Sequence, residues 1–147
     1  MAGSARTIPP PPVNPETKPF WDAAAQGRLL IKRCTACDEP HWYPRAICPF
    51  CGSERTEWME VSGRGTIYSY EIVAHAIQPG FKEMTPYAVV LVELDEQRGQ
   101  PTPDEALRVI ANLVKPDFTA EAEANVQIGR RVRVGAAMRL LRRRVAI

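Results

Sequence analysis

Cys34-Thr35-Ala36-Cys37 and Cys48-Pro49-Phe50-Cys51 are two Cys-x2-Cys pairs with ten residues between them. Each pair can fold into a knuckle that turns both sulfurs toward one ion, and two knuckles complete a tetrahedron with Zn–S of about 2.3 Å. The spacer is shorter than the roughly fifteen to twenty residues common between such pairs, yet it suffices for a tight hairpin. Gly52 follows the second pair, where a knuckle needs positive φ. Asp38 follows the first, and aspartate tolerates that region better than most residues. Four thiolates make a closed, structural site, because catalytic zinc keeps one position open. Iron fits the same cage. The rival reading is two disulfides in an exported mini-protein, which Met1–Arg6 disfavours by lacking a charged-then-apolar leader pattern. His41 lies four residues past Cys37 and reads as a loop histidine, since four cysteines already fill the set. Lys32, Arg33, Arg45 and Arg55 surround the motif and can offset the double negative charge of a zinc tetrathiolate.

Upstream, residues 1–14 carry Pro9-Pro10-Pro11-Pro12, which favours extended polyproline II and reads as a flexible arm. Residues 15–31 read as a helical segment, with the helix itself over 15–27. Asn14 or Thr17 can cap it, Pro15 or Pro19 fits its first turn, and Gly27 can close it. Phe20 and Ala24 share one face and Trp21 begins a neighbouring stripe. The run Leu29-Leu30-Ile31 leads into Cys34. Residues 32–57, the ribbon, show no periodic apolar pattern, so the metal is expected to supply the stability there.

From Trp58 onward the period becomes two. Trp58–Val61, Thr66–Val73, Tyr87–Leu94, Leu107–Val114 and the alternation Val132, Val134, Ala136, Met138 read as five strands. Tyr87–Leu94 is almost continuously apolar and is expected to be a central strand covered on both faces. The only helical possibility is short, Ala120–Asn125. Five strands in this length predict a small antiparallel OB-like barrel over residues 58–147, since closure removes exposed edges. The fold class is therefore mainly β, with an N-terminal helical segment, a zinc ribbon and a C-terminal five-stranded barrel.

The chain has 147 residues, 45% of them apolar, with 19 Lys+Arg against 17 Asp+Glu and a formal charge of +2. A zinc tetrathiolate contributes −4 + 2 = −2, which brings the metallated chain to about zero. Global charge thus gives no warrant for nucleic-acid binding. No stretch approaches the roughly 18 apolar residues of a membrane span. The expected compartment is cytoplasmic.

With all cysteines committed to metal, none remains as a nucleophile. His41 and His75 are the only histidines, and His75 sits beyond a strand end with no Asp or Ser partner at motif spacing. Ser62-Gly63-Arg64-Gly65 precedes a strand and is too short to cradle phosphates, so it reads as a tight turn. A single-strand nucleic-acid module is the alternative of another class, with Tyr68 and Tyr70 as a stacking platform. However, no Lys or Arg lies between Thr66 and Gln78, and Glu71 and Glu93 fall on the neighbouring strands. The expectation is no nucleic-acid partner.

Phe20-Trp21, Gly27-Arg28-Leu29, the two cysteine pairs, Tyr43-Pro44-Arg45, Ser62-Gly63-Arg64-Gly65-Thr66, Pro86-Tyr87 and Ile128-Gly129 together resemble the DUF35 family. That resemblance covers nearly everything after residue 15. It implies a rubredoxin-like zinc ribbon followed by an OB-fold. It also implies a non-catalytic, acyl-CoA-associated partner of a thiolase-like condensing enzyme or steroid side-chain aldolase, or of a MaoC-type hydratase. The sequence departs from the family in Asp38, where glycine is usual, and in a basic tail after Met138. On this reading Phe20, Trp21, Phe81, Met84, Pro86 and Tyr87 are candidates for the partner interface. Arg45, Arg139 and Arg142 are candidates for the coenzyme A phosphates, and zinc is the structural cofactor.

Overall fold

The computed structural model describes residues 12–100 and 105–135. Helix α1 (Lys18–Ala24) starts at Thr17, and Asn14 organises that start. The Asn14 carbonyl accepts from the N–H groups of Thr17 and Lys18 at 3.1 and 2.9 Å, and its Oδ1 accepts from Thr17 N–H at 2.8 Å. Pro19 sits in the first turn, where a missing N–H costs nothing. At the other end Gly27 takes φ 78°, and Arg28 N–H donates back to the Ala23 carbonyl at 3.0 Å. Only a residue free of Cβ strain closes a helix this way. The helix is thus shorter than 15–27. Leu29–Ile31, grouped with it from sequence, instead open strand β1 (Leu29–Cys34).

Strand β1 is flanked by β2 (Pro40–His41) and β3 (Thr56–Val61) in a three-stranded antiparallel sheet. Its register with β3 runs without interruption from Leu29 opposite Val61 to Cys34 opposite Thr56. The second sheet has the order β6-β5-β4-β7, from β4 (Arg64–Val73), β5 (Tyr87–Leu94), β6 (Arg108–Asn112) and β7 (Arg131–Arg133). It is antiparallel throughout and curled into a half-barrel. The mainly β class holds. The strand expected to open the barrel, Trp58–Val61, is β3 and pairs with β1. The last expected strand is seen as Arg131–Arg133, and Ala136 and Met138 lie outside the described residues. Ala120–Asn125 provides only a 3-10 turn at Glu123–Asn125.

β5 does lie inside its sheet, but it is not covered equally on both sides. Ala88, Val90, Val92 and Leu94 are buried, whereas Tyr87, Val89, Leu91 and Glu93 are half-buried. A curled sheet has one concave face to fill, and that face takes every second residue. One core results. Leu29, Ile31 and Val61 of the first sheet pack with Ile67, Val90, Leu94, Val109 and Val126, while Phe20, Trp42 and Met59 close over them. Each fully buried aliphatic side chain contributes about 1.5–3 kcal/mol. Of residues 32–57 Trp42 packs against this core, so the ribbon is tied to it at that point as well as through its cysteine cluster. A bulge between Ile67 and Ser69 interrupts the β4–β5 register at Tyr68. Among the described residues no helix is long and apolar enough to cross a membrane.

Candidate metal centre

Cys34 ends β1, and Cys37, Cys48 and Cys51 reach it from the two knuckles, so that all four Sγ atoms lie within 4.8 Å of one another. Cys34 Sγ is 3.6 Å from Cys51 Sγ, and Cys37 Sγ is 3.7 Å from Cys48 Sγ. A tetrahedron with metal–sulfur bonds of about 2.3 Å has edges of about 3.8 Å, whereas a disulfide needs about 2.05 Å. The four cysteines are free thiols. The donor set and its spacing fit zinc, and the disulfide reading does not fit.

The two knuckles are built alike. Asp38 N–H donates to the Cys34 carbonyl at 2.9 Å and Gly52 N–H to the Cys48 carbonyl at 3.0 Å. Cys34 N–H and Cys48 N–H then take the carbonyls of Glu39 and Ser53, at 3.0 and 2.9 Å. Asp38 has φ 67° and Gly52 φ 72°, so aspartate adopts the left-handed turn that the spacing requires. Its carboxylate is held by Arg33, which also faces Glu57 at 3.6 Å. Without metal the thiols differ. Burial pushes Cys34 up, but the N–H groups of Cys37 and Ala36 and the thiols of Cys51 and Cys37 outweigh it and bring Cys34 to about 6. The Glu39 N–H pulls Cys37 down, yet burial and the other three thiols drive it up to about 12. Cys34 thus gives up its proton readily, whereas Cys37 holds its own until a cation replaces it. When bound, zinc supplies no reaction step here, only the closure of the two knuckles on β1.

His41 is not a loop residue. It belongs to β2 and is buried, and neither ring nitrogen meets a hydrogen-bond partner. Burial first, and then the positive charges of Lys32 and Arg45, lower its pKa and keep the ring neutral. The cluster of ligand atoms comprises the four cysteines without it. A second tie joins the ribbon to the larger sheet: the amide of buried Gln97 donates to the Glu39 carboxylate at 2.7 Å.

The other sequence candidates scatter. Phe20 lies 4.9 Å, centroid to centroid, from both Trp21 and Trp42, and it packs on the core, so much of its surface is already used internally. Phe81 sits in a 3-10 turn (Pro79–Met84), half-buried, with its ring 6.4 Å from Tyr87. Met84 and Pro86 are exposed beside it. Arg45 is exposed on the ribbon, and Arg139 and Arg142 lie outside the described residues. His75 is exposed. Tyr68 and Tyr70 are both exposed but hold different places in the sheet. The bulge puts Tyr68 under the Arg108 guanidinium, 3.6 Å from its centroid, while Tyr70 stands opposite core residue Val90. Sequence reasoning missed the ribbon tip, where Tyr43, Ile47 and Phe50 are all exposed. Three large apolar side chains beside two cysteine knuckles are the signal that marks it, because a metal-closed loop has no core of its own to hide them.

This architecture, a rubredoxin-like ribbon whose four thiolates fit a structural zinc joined to an OB-fold sheet, defines the class of protein. Residues 21–57 match the ChsH2 rubredoxin-like zinc ribbon domain, and residues 58–137 match the ChsH2 C-terminal OB-fold domain. The chain belongs to the DUF35 family. It is similar to a chain of the solved Ltp2–ChsH2 (DUF35) aldolase, with TM-score 0.66 and 35% identity over 84% of this chain and 85% of that one. A probable enoyl-CoA hydratase alpha subunit of Thermomonospora curvata is 38% identical over 72% of this chain and 30% of its own length. A DUF35 domain-containing scaffold protein of Methanocaldococcus jannaschii is 36% identical over 46% of this chain and 48% of its own. The chain thus spans less than two thirds of these two relatives.

Proposed function

We propose that this chain is a non-catalytic accessory subunit that docks on a thiolase-like aldolase or condensing enzyme and completes its acyl-CoA channel. The observation that carries the reading is the similarity, over most of both chains, to a chain of the Ltp2–ChsH2 aldolase. Two features of the site agree with it. The metal ligands fill a tetrahedron and leave no position for substrate. The described histidines are either buried without partners or exposed, and all four cysteines belong to the cage.

The docking surface is assigned to the 79–87 loop, with Phe81, Met84, Pro86 and Tyr87, more than to Phe20 and Trp21, which α1 turns partly inward. Aromatic anchors of this kind carry a large share of interface energy. Arg45 is assigned to coenzyme A phosphate, where a guanidinium can pair bidentately. A second reading, partner of a MaoC-type hydratase, is favoured by the similarity to the probable enoyl-CoA hydratase alpha subunit of Thermomonospora curvata.

Co-expression with each candidate enzyme, followed by gel filtration and activity assays with and without this chain, tests the proposal. A stable complex with the aldolase or condensing enzyme, lost on Phe81→Asp while zinc content and folding are kept, is expected. Arg45→Ala should raise KM for the acyl-CoA more than it disturbs assembly. An enzyme that elutes alone and is fully active without this chain overturns the reading. Assembly with the hydratase instead selects the second.

A further inference from the structure

The four ligands of the cage are not equally shielded. Cys34 and Cys48, the first cysteine of each knuckle, are 0% and 1% exposed, Cys37 is half-buried, and Cys51 is exposed. The approach to Cys51 is open, since Pro49, Phe50 and Gly52 around it are exposed and a Cβ added at Gly52 would meet nothing within 4 Å. The sulfur at 3.6 Å from Cys51 is the buried Cys34, across the knuckles. Cys34 Sγ also receives the Ala36 N–H at 3.3 Å, a bond that withdraws electron density from it. Cys51 is therefore the ligand residue most open to solvent, and a buried sulfur lies 3.6 Å from its own.

We propose that Cys51 is an oxidant-sensitive modification site, at which a hydroperoxide starts a reaction that ends in a Cys34–Cys51 disulfide and release of the metal. Cys51 Sγ attacks one oxygen of hydrogen peroxide. The O–O bond breaks, and the departing hydroxide takes a proton to become water, which leaves a sulfenic acid. The Cys34 thiolate then attacks the Cys51 sulfur, the S–O bond breaks, and a second hydroxide leaves as water once protonated. Two thiolates have given two electrons to the peroxide, and zinc keeps its charge of +2 throughout. Only Cys37 and Cys48 remain as ligands, too few to hold a tetrahedral zinc. The new bond joins the end of β1 to the second knuckle, along the line the metal had closed, so the ribbon exchanges one strut for another. Thiol reductant plus zinc reverses the change. The inference rests on the metal centre and is independent of which enzyme the chain serves.

The test uses the zinc-loaded full chain and hydrogen peroxide below one equivalent. Released zinc is followed with a colorimetric chelator, sulfenic acid is trapped with dimedone, and modified peptides are mapped by mass spectrometry. The first adduct should fall on Cys51. Without the trap, one zinc should appear for each Cys34–Cys51 disulfide, and dithiothreitol with zinc should restore the metal. Cys51→His, which keeps a four-ligand set with a nitrogen donor, should bind zinc and lose the fast phase of peroxide-driven release. If that variant does not fold, peptide mapping of the unaltered chain decides alone. A first adduct on Cys34 or Cys48, a disulfide within either Cys-x2-Cys pair, or zinc retained after Cys51 is oxidised overturns the proposal.

Discussion

Gly65→Ala separates a rule of thumb from the geometry of this sheet. Gly65 does not need positive φ, so replacing it by alanine in a strand would ordinarily stabilise by about 0.4–1 kcal/mol through the unfolded chain. Here it is paired on both sides, with Leu94 of β5 and with Val132 of β7. An added Cβ would meet the Glu93 carbonyl oxygen at 2.5 Å and Val92 Cγ1 at 2.6 Å, against 3.4 Å for the start of ordinary contact. The backbone oxygen would have to retreat by 3.4 − 2.5 = 0.9 Å, inside a ladder that fixes the strand spacing. Overpacking of that order costs about 1–3 kcal/mol, more than the entropic gain. At roughly 4 °C per kcal/mol for a chain of this size, that cost alone lowers the midpoint by about 4–12 °C, and the entropic gain returns about 2–4 °C of it. The assay is far-UV circular dichroism on heating, with zinc fixed at one equivalent, together with amide exchange in β4 and β5. An unchanged or raised midpoint would refute the argument that this glycine is held by close approach.

The purified chain should carry one equivalent of zinc, and Cys48→Ser should unfold the ribbon, since metal binding at such sites supplies folding free energy on the order of 10 kcal/mol. Because protons compete for thiolates, zinc affinity should fall as pH falls, and a titration from about pH 8 to 5 with a zinc indicator checks the sign. The hydrogen bond from Arg131 holds the Asp95 carboxyl below its ordinary 3.8. Its contribution to stability is therefore present above that value and lost as pH falls through the lower folded one. Arg131→Gln should move Asp95 back up, as read by carboxylate NMR, and flatten the acid limb of the stability curve.

What could be read from the sequence was what local spacing encodes. The cysteine pairs define their own cage, and Tyr87–Leu94 is a strand over the residues that the apolar run marks. Gly27 closes the helix where the sequence places it. What could not be read depends on partners far along the chain. Nothing in Leu29–Cys34 announces Thr56–Val61 as its neighbour, so local spacing joins Leu29–Ile31 to the helix and Trp58–Val61 to the barrel. The bulge at Tyr68 reverses the facing of the residues beyond it, and period-two reasoning, which put Tyr68 and Tyr70 on one face, has no means to detect an inserted residue. His41 lay in a stretch without periodicity, and only the folding of Trp42 onto Phe20 and the core reveals that this stretch is packed.

The ladder between β1 and β3 has a mechanical consequence. The division between the two family domains falls between residues 57 and 58, inside β3, so the boundary in sequence is not a hinge in space. Six antiparallel pairs, about 20 Å of strand, form a splint with the metal cage at one end and Leu29, Ile31 and Val61 in the core at the other. Cutting the chain at 57 would divide β3 and leave the larger sheet without the aliphatic side chains of β1 that line its concave side. Carried on such a splint, the metal cage keeps a set distance from the core, as one end of a rigid strut does from the other.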